Sequence, residues 1–407
     1  MKQLIRFIFV TTLITSVSQA ESPQDGQERR PNIVFFMADD WSWPHAGILG
    51  DPVVKTPAFS KRPHEELYDL TEDPDQLHNV AQHPGYAKDK NRLRRKLDAE
   101  LIQSGDPRLA KARPNVLFIA VDDLNDWIGC LGGHEQAKTP NIDRLAASGM
   151  LFTNAHCAAP ACNPSRTAIM TGLSPHTSGL YANGQKMREI LPDAMLLPKY
   201  FSNHGYWAGG SGKILHYFID AQSWDEYYPA KETENPFPRT LYPDKRPVSL
   251  PRGGPWQYVE TDWGPLEATD EEFGGDWLVS KWIGDQLRKK HNKPFFLACG
   301  IYRPHEPWFV PQRYFDLFPI EDIQLPRGYK EDDLDDLPPE GRRRGPNRYF
   351  AHIRKHKQWK QAIQGYLASI AFADAMVGRV IDALETGPNR DNTIVVLWGD
   401  QIGRAHV

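Results

Sequence analysis

From residue 113 onward, short apolar runs alternate with stretches in which apolar residues recur at helical spacing. The runs at residues 115–121, 294–300 and 393–398 are rich in Val, Ile, Leu and Phe, which predicts buried strands of a parallel sheet. Residues 142–148 and 357–384 carry apolar residues three and four positions apart, which predicts helices that pack on a core. The alternation of the two patterns predicts an α/β fold.

Two segments between these elements have a different composition. Residues 221–276 are dense in Pro, Gly, Trp and Tyr, which predicts a long loop region over a site. The acidic run Glu331–Asp336 ends at two prolines, and we interpret it as a solvated turn. Asp374 lies within the apolar pattern of the long helix, so we predict a structural role for it.

An internal repeat precedes the α/β region. The segment Arg30–Asp40, an apolar run that ends in Asp-Asp, returns 83 positions later as Arg113–Asp123, and Lys55-Thr56-Pro57 matches Lys138-Thr139-Pro140 at the same offset. Each copy predicts a buried parallel strand with two carboxylates at its carboxyl end. We interpret the repeat as parts of two related units; the alternative is a divergent extension that folds on its own.

Acidic residues follow two of the predicted strands. Asp122 and Asp123 follow the strand at 115–121, and Asp400 comes after the strand at 393–398. Ligands of open α/β sheets collect at the carboxyl ends of the strands, and adjacent carboxylates suit a hard cation that takes oxygen ligands. These residues therefore indicate a candidate metal site.

The run from Cys162 to Arg166, Cys-Asn-Pro-Ser-Arg, is followed after four residues by Thr171-Gly172. Pro164 suits the first turn of a helix, whose N-terminus favours an anion. By itself a cysteine such as Cys162 would more often be a structural, half-buried residue at a helix start. The whole pattern resembles the signature of the type I sulfatases, in which this cysteine is oxidised to formylglycine, whose hydrate attacks the sulfur of a sulfate ester.

The resemblance covers residues 113–400 and implies an alkaline-phosphatase-like fold, a mixed sheet sandwiched by helices. It also implies one Ca²⁺, held by Asp122, Asp123, formylglycine-162 and Asp400. Arg166 would hold the aldehyde hydrate and the charge of the metal ligands.

Two further motifs carry the resemblance beyond the nucleophile. Lys213 and His216 match the family's Gly-Lys-x-x-His element, and His305 matches its Pro-His-x-Pro element. The resemblance implies that Lys213 neutralises sulfate, that His216 contacts the formylglycine hydroxyl and that His305 faces the leaving-group oxygen. As isolated loop residues, a lysine and two histidines would more often be surface groups.

The motif contexts of these residues are most similar to iduronate 2-sulfatase and its bacterial relatives, which implies a sulfated carbohydrate as substrate. A formylglycine-generating enzyme or an anaerobic maturase would modify the cysteine. Three alternatives stay open at this point: a phosphonate or phosphate monoester hydrolase of the same superfamily, an inactive protein that binds sulfated glycans, and an unstable fragment.

The pattern divides the chain into five segments. Residues 1–20 carry a basic start, an apolar core and a small-residue exit, which predicts a signal peptide and an exported protein. We interpret residues 21–59 as a partial sulfatase N-terminus and 60–112 as a C-terminal-like fragment with an amphipathic helix at Arg92–Ile102. Residues 113–400 would form a truncated catalytic domain without its C-terminal subdomain, and residues 401–407 resemble a translated sequencing adapter. We therefore expect the chain as given to be inactive.

The composition narrows the classes of partner. The 407 residues carry a net charge of −4 with mixed signs, which argues against a nucleic-acid partner. After the predicted signal peptide no apolar run approaches the ~20 residues that a membrane span needs. Only four cysteines occur, too few for a disulfide-built scaffold, although one disulfide is possible.

Overall fold

The computed structural model describes residues 6–10, 32–34, 65–69, 80, 82–93, 95, 113–244, 261–345 and 348–400. The chain forms two compact units, one made of Met1–Arg29 and Trp41–Arg113 and the other of Arg30–Asp40 and Pro114–Val407. The first copy of the repeat, Arg30–Asp40, therefore belongs to the same unit as the second copy, of which only Arg113 is assigned to the other unit.

The strands are β1 (Arg6–Val10), β2 (Asn32–Val34), β3 (Glu65–Asp69), β4 (Asn115–Val121), β5 (Met150–Leu151), β6 (Trp207–Gly212), β7 (Glu226–Tyr228), β8 (Trp263–Leu266), β9 (Phe295–Ile301), β10 (Trp308–Pro311) and β11 (Thr393–Gly399). The α-helices are α1 (Pro140–Ala147), α2 (Cys162–Thr171), α3 (Pro175–Ser178), α4 (Met187–Ile190), α5 (Leu197–Asn203), α6 (Asp270–Phe273), α7 (Asp276–Arg288), α8 (Gln312–Phe315), α9 (Pro339–Arg344), α10 (Arg348–Lys355) and α11 (Trp359–Glu385).

In the smaller unit, β1 and β3 form an antiparallel pair in which Arg6 lies opposite Asp69. Residues 87–93 are helical, so this helix begins before the predicted start at Arg92. Residues 96–102, the rest of that predicted helix, lie outside the described residues, as does most of the predicted signal peptide.

A seven-stranded sheet dominates the larger unit, in the order β5-β2-β11-β4-β9-β6-β7. Every pairing in this sheet is parallel within the described part of the chain. The predicted strands correspond to β4, β9 and β11 within one residue at each end, and the predicted helices correspond to α1 and α11. The prediction of an α/β fold is thus confirmed.

The first copy of the repeat also contributes a strand to this sheet. Strand β2 pairs in parallel with β11, with Ile33 opposite Val396. On its other side β11 pairs with β4, the strand of the second copy. Both copies therefore form parallel strands, as their apolar runs predict.

Both faces of the sheet are covered, which explains why β4 is apolar at nearly every position. Successive side chains of a strand point to opposite faces. Leu117 and Ile119 pack with α7 and α11 in one core, whereas Phe118 and Ala120 pack in a second core with residues such as Met170 of α2. A continuous apolar run is the sequence that a strand buried on both faces requires.

The prediction of a long loop over residues 221–276 is wrong in part. The described residues of this segment contain β7, β8, α6 and the start of α7. The strands are only three and four residues long, and β8 contains glycine and proline, so they carry no visible alternation of polar and apolar positions. The acidic run Glu331–Asp336 forms exposed turns, as predicted.

Three smaller findings bear on the remaining expectations. Asp374 is buried and accepts hydrogen bonds from the backbone N–H of Asn141 (3.1 Å) and of Ile142 (2.8 Å) at the start of α1, which agrees with a structural role. All four cysteines are free thiols. Within the described residues, no helix combines the length and the apolar character that crossing a membrane would take.

Candidate active site

The site forms where four neighbouring strands end. Strands β11, β4, β9 and β6 lie side by side in the middle of the parallel sheet, so their carboxyl ends share one edge. The predicted polar residues follow these ends directly or within four residues: Asp400 after β11, Asp122 and Asp123 after β4, His305 after β9, and Lys213 after β6. The topology therefore brings together residues that are up to 278 positions apart in the sequence.

Helix α2 places Cys162 at the same edge. Cys162 is the first residue of the helix, after the extended residue Ala161, and it is buried, with 2% of its surface exposed. The Ser165 hydroxyl donates a hydrogen bond of 2.7 Å to the backbone carbonyl of Asp400, which ties the first turn of α2 to the end of β11. The helix N-terminus faces the site with its positive dipole end.

Two buried cations hold two buried carboxylates beside Cys162. The Arg166 guanidinium donates to Asp122 (Nη2 to Oδ1, 2.9 Å) and to Asp400 (Nε to Oδ2, 2.7 Å). The Lys213 ammonium donates to the other oxygen of Asp122 and lies 3.8 Å from the Cys162 sulfur. Arg166, Lys213, Asp122 and Asp400 have no exposed surface.

This network sets the ionisation of its members. Burial opposes the ionised form of Asp122, but Lys213 and Arg166 outweigh it and hold the pKa of Asp122 below its usual value. Burial raises the pKa of Asp400 despite the neighbouring Arg166. Burial and the charge of Asp122 raise the pKa of the Cys162 thiol far above its ordinary value. The thiol is therefore neutral and a weak nucleophile at pH 7.

Some of the side chains at this edge carry ligand atoms that suit a hard divalent cation. Asp122, Cys162 and Asp400 each offer a ligand atom, and these atoms lie within 4.8 Å of one another. Carboxylate oxygens suit a hard cation, whereas a thiol sulfur suits softer metals. The two carboxylates supply oxygen ligands of the kind such an ion takes, and position 162 would supply one once it carries oxygen.

Asp123 lies beside the Asp122 network and has an unusual backbone conformation. Its φ is +54°, in the left-handed region that aspartate tolerates better than most residues. The backbone N–H of Asp123 donates to Asp400 Oδ1 (2.9 Å), and its carbonyl accepts from the Tyr366 hydroxyl (2.7 Å). Its carboxylate lies 3.6 Å from His305 Nε2.

The two predicted histidines differ in environment. His305 is 8% exposed, and its Nδ1 lies 2.6 Å from the Glu306 carbonyl, which leaves Nε2 facing the carboxylate of Asp123. Burial, with the charges of Lys213 and Arg166, lowers the pKa of His216 to about 3. His216 is therefore neutral at pH 7, and its Nδ1 is buried without a hydrogen-bond partner within the described residues.

Gly212, at the end of β6, lets Lys213 reach the site. Its φ is +78°, and a Cβ at this position would lie 2.0 Å from the carbonyl oxygen of Gly300 on β9. Only glycine therefore allows β6 and β9 to approach so closely at their ends. The backbone N–H of Lys213 then donates to the same carbonyl (3.1 Å).

Aromatic residues that the motifs did not single out complete the surroundings of Lys213. The ammonium lies 4.8 Å from the ring centre of Tyr217 and 5.3 Å from that of Tyr302. Tyr217 follows His216 directly, and Tyr302 precedes the Arg303-Pro304-His305 element. Their closeness to the recognised motifs was the only signal in the sequence that could have identified them.

Comparison with known proteins decides the family. The sulfatase family model matches residues 114–405. The chain belongs to the sulfatase family. A sulfatase of Formosa agariphila is 43% identical over 300 residues, which cover 71% of this chain and 58% of that protein. Human iduronate 2-sulfatase is 28% identical over 319 residues, which cover 70% of this chain and 54% of that protein.

The chain thus spans a little more than half the length of these sulfatases. Among solved structures, the phosphonate monoester hydrolase of Agrobacterium radiobacter aligns with a TM-score of 0.52 at 23% identity, covering 71% of this chain and 62% of that one. At this identity the likeness concerns the fold alone. The fold is the alkaline-phosphatase-like α/β fold of the sulfatases, as predicted.

Proposed function

We propose that this sulfatase hydrolyses sulfate esters of a sulfated carbohydrate through a formylglycine at position 162, with Ca²⁺ at the carboxylates of Asp122, Asp123 and Asp400. The observation that carries the proposal is the arrangement of Lys213 and Arg166 around Cys162. Lys213 Nζ lies 3.8 Å from the Cys162 sulfur, and Arg166 joins Asp122 to Asp400. Cations beside a nucleophile are what transfer of an anionic sulfuryl group requires.

The state of the cysteine supports its conversion. The raised pKa of the Cys162 thiol leaves little thiolate at neutral pH, so an unmodified cysteine would be a poor nucleophile here. Formylglycine would supply a hydrated aldehyde, with one hydroxyl to attack sulfur and a second to expel the sulfate as the aldehyde reforms. A formylglycine-generating enzyme or an anaerobic maturase would carry out the oxidation.

The two histidines would carry out the proton transfers, and Lys213 would supply positive charge. His305 is well placed to give a proton to the leaving alcohol, because its Nδ1 lies 2.6 Å from the Glu306 carbonyl and its Nε2 faces the edge of the sheet where Asp123 lies. His216 is neutral, and its Nδ1 has no hydrogen-bond partner in the part of the chain that the structure describes, so it can accept the proton that the second hydroxyl releases. Lys213 stays charged, because Asp122 raises its pKa against the effect of burial, and would neutralise the sulfate oxygens.

The relatives favour a carbohydrate substrate. Several similar proteins are named for sulfated sugars: human iduronate 2-sulfatase, human N-acetylgalactosamine-6-sulfatase and an ulvan-active sulfatase of Formosa agariphila. For export, the support is the basic and apolar start of the chain. N-terminal sequencing of the secreted protein after Ala20 would test this, and a mature chain that still begins at Met1 would contradict it.

Mass spectrometry of the peptide that contains position 162 tests the central proposal. We expect coexpression with a formylglycine-generating enzyme to convert Cys162 to the aldehyde and to leave Cys157, five residues upstream, unchanged. Pro164→Ala should abolish conversion, because it breaks the motif without touching the thiol. In a chain extended to the length of its sulfatase relatives, the converted protein should then release sulfate, and little phosphate, from matched sugar esters. Sulfatase turnover with an unmodified Cys162 would overturn the mechanism.

A further inference from the structure

A cavity beside the sulfatase site is not used by the proposed chemistry. It has a volume of about 430 Å³ and is lined by residues that include Lys213, Tyr217, Arg239, Asp276, Tyr302 and Arg303. This volume lies within the roughly 300–1,000 Å³ of small-ligand pockets. Lys213 borders both spaces, because its ammonium also lies 3.8 Å from the Cys162 sulfur. A ligand in this cavity, which we call the Arg303 cavity, would therefore be a close neighbour of a sulfate at the reaction centre.

Arg303 is a buried cation in the wall of this cavity with an unused donor. Its side chain is almost entirely buried, with 1% exposed, and Nη2 has no hydrogen-bond partner within the described residues. Its other donors make only long bonds, from Nε to the Phe309 carbonyl and from Nη1 to the His305 carbonyl, both at 3.4 Å. A buried charged donor left unpaired is strongly unfavourable, so this position favours a ligand that accepts hydrogen bonds.

The nearby carboxylate of Asp276 interacts with the charge of Arg303, but among the described residues it does not accept a hydrogen bond from Nη2. Asp276 is buried at the start of α7, and its two oxygens accept from the backbone N–H groups of Tyr302 (2.7 Å) and Arg303 (2.8 Å). It thereby fixes the backbone that carries the Arg303 side chain. The guanidinium itself lies between aromatic rings, 5.1 Å from the centre of Tyr302 and 5.6 Å from that of Phe273.

The inner part of the Arg303 cavity is lined by buried residues, whereas its outer part is lined by exposed residues. Glycines 212 and 300 and the buried Phe273 line its inner part, whereas Arg239, Asn235 and Tyr242 are exposed at its outer part. Arg239 adds a second positive charge there, where it can draw an anion inward. Aromatic walls with a cation at each end suit a sugar ring that carries an acidic substituent.

We propose that the Arg303 cavity binds a second anionic group of the substrate, a uronate carboxylate or a second sulfate, beside the scissile sulfate. The inference rests on the proposed function for the position of the scissile group. Arg303 would be a specificity-determining residue that receives the anion through Nη2 and the weakly bound Nη1. Neutral sugar sulfates would then bind less tightly than acidic ones.

Isothermal titration calorimetry on the full chain tests this without requiring turnover. The probes are methyl glucuronide and glucose 6-sulfate, each with saturating inorganic sulfate to fill the reaction centre, and neutral methyl glucoside. We expect one of the two acidic sugars to bind at least tenfold more tightly than the neutral one, and the tighter of the two identifies the group. Arg303→Met should weaken that binding roughly ten- to hundredfold, while Arg303→Lys should retain part of it. Arg288→Met, a surface change on α7, is the matched control and should have no effect.

Binding of inorganic sulfate alone separates the two proposals. If sulfate binding is absent but acidic sugars still depend on Arg303, the cavity assignment stands and the proposed function fails. If sulfate binds and Arg303→Met leaves the acidic sugars unaffected, the cavity assignment is wrong. Should Arg303→Met lose its cooperative melt, Arg239→Gln at the exposed mouth replaces it, with an expected weakening of up to about fivefold. Equal binding of acidic and neutral sugars to the wild-type chain also overturns the inference.

Discussion

Replacing Arg166 with methionine removes the cation that joins two buried carboxylates. Arg166 has no exposed surface and donates to Asp122, to Asp400 and to the backbone carbonyls of Lys213 and Ile214. Methionine keeps much of the length and apolar volume of the side chain but none of its donors. Asp122 would still have Lys213, whereas Asp400 would lose the guanidinium that donates to its carboxylate.

The expected cost follows from leaving that carboxylate unpaired. Removing one partner of a buried ion pair destabilises a protein by about 3–5 kcal/mol, which corresponds to a fall in Tm of roughly 6–20 °C for a domain of this order of size. Burial already raises the pKa of Asp400, and the loss of Arg166 would raise it further. The folded state would then bind more protons than the unfolded state, so the stability of the variant falls as pH rises through the pKa of Asp400. Its deficit relative to wild type should shrink as the pH falls through the raised pKa of Asp400 toward that of an unfolded carboxyl group.

The same change should strengthen the response to Ca²⁺. An ion at Asp122 and Asp400 experiences the repulsion of Arg166, and a unit-charge pair near 4 Å interacts by about 4 kcal/mol at an effective dielectric constant of 20. Differential scanning calorimetry with Ca²⁺ or with EDTA measures the shift, which is about 2.7 kcal/mol of stability at a hundredfold excess over Kd. We expect a larger Ca²⁺-induced rise in Tm for Arg166→Met than for wild type, and none for Asp122→Asn.

Asp39→Asn supplies the matched control, because Asp39 belongs to the first copy of the same Asp-Asp motif. We expect it to keep the wild-type Ca²⁺ response. An Arg166→Met variant whose melt responds to Ca²⁺ no more than wild type would refute the reasoning, since the carboxylates would then not be the ligands. A response lost in Asp39→Asn and kept in Asp122→Asn would assign the metal to the other copy.

Three further changes test other parts of the fold and site. Asp220→Asn should destabilise the protein by about 1–3 kcal/mol at pH 7. Hydrogen bonds from Arg188 lower the pKa of Asp220 against the effect of burial, so this stabilisation is present above the unfolded pKa and is lost as pH falls through the folded pKa. Urea melts of the two proteins should therefore converge once the pH is below the folded pKa of Asp220. Asp374→Ala should cost about 3 kcal/mol or more, because the N–H donors at the start of α1 lose their acceptor, and amide exchange in α1 should accelerate; unchanged exchange there would contradict this. In a chain extended to the length of its sulfatase relatives, His305→Gln should slow hydrolysis of alkyl sulfates about 10²–10⁴-fold and that of nitrophenyl sulfate far less. Equal losses on both esters would exclude His305 as the proton donor.

The strands that the sequence predicts well are those buried on both faces. Strand β4 is recognisable because Leu117, Phe118 and Ile119 all pack in one of two cores, so the apolar run is unbroken. Strand β6, Trp-Ala-Gly-Gly-Ser-Gly, has no such run. Its glycines are set by close contacts, since a Cβ at Gly210 would lie 2.5 Å from the Tyr227 ring, and contacts between distant residues leave no periodic signal.

The site also contains both residues that the sequence identifies and residues that it does not. The motifs and the strand ends identify Asp122, Cys162 and Lys213, because those residues must occupy fixed places at one edge of the sheet. They do not identify Tyr302, which is placed by packing against Lys213. Nor could spacing predict that Arg166 bridges two carboxylates, because Asp122 and Asp400 become neighbours only when β4 and β11 pair.

The place of β11 between β2 and β4 has a consequence for synthesis on the ribosome. Every other described strand of the seven-stranded sheet is translated before β11, so until then β2 and β4 each present an open edge to the cytosol. Such edges are templates for association with other chains, and these two carry closely similar sequences, with Asn32 and Asn115 at matching positions. Strand β11, which is synthesised last, therefore pairs with two strand edges of similar sequence. Nascent chains paused before residue 393 should be the main source of insoluble product, and holding chaperones that shield strand edges should improve the yield more than any change in the site.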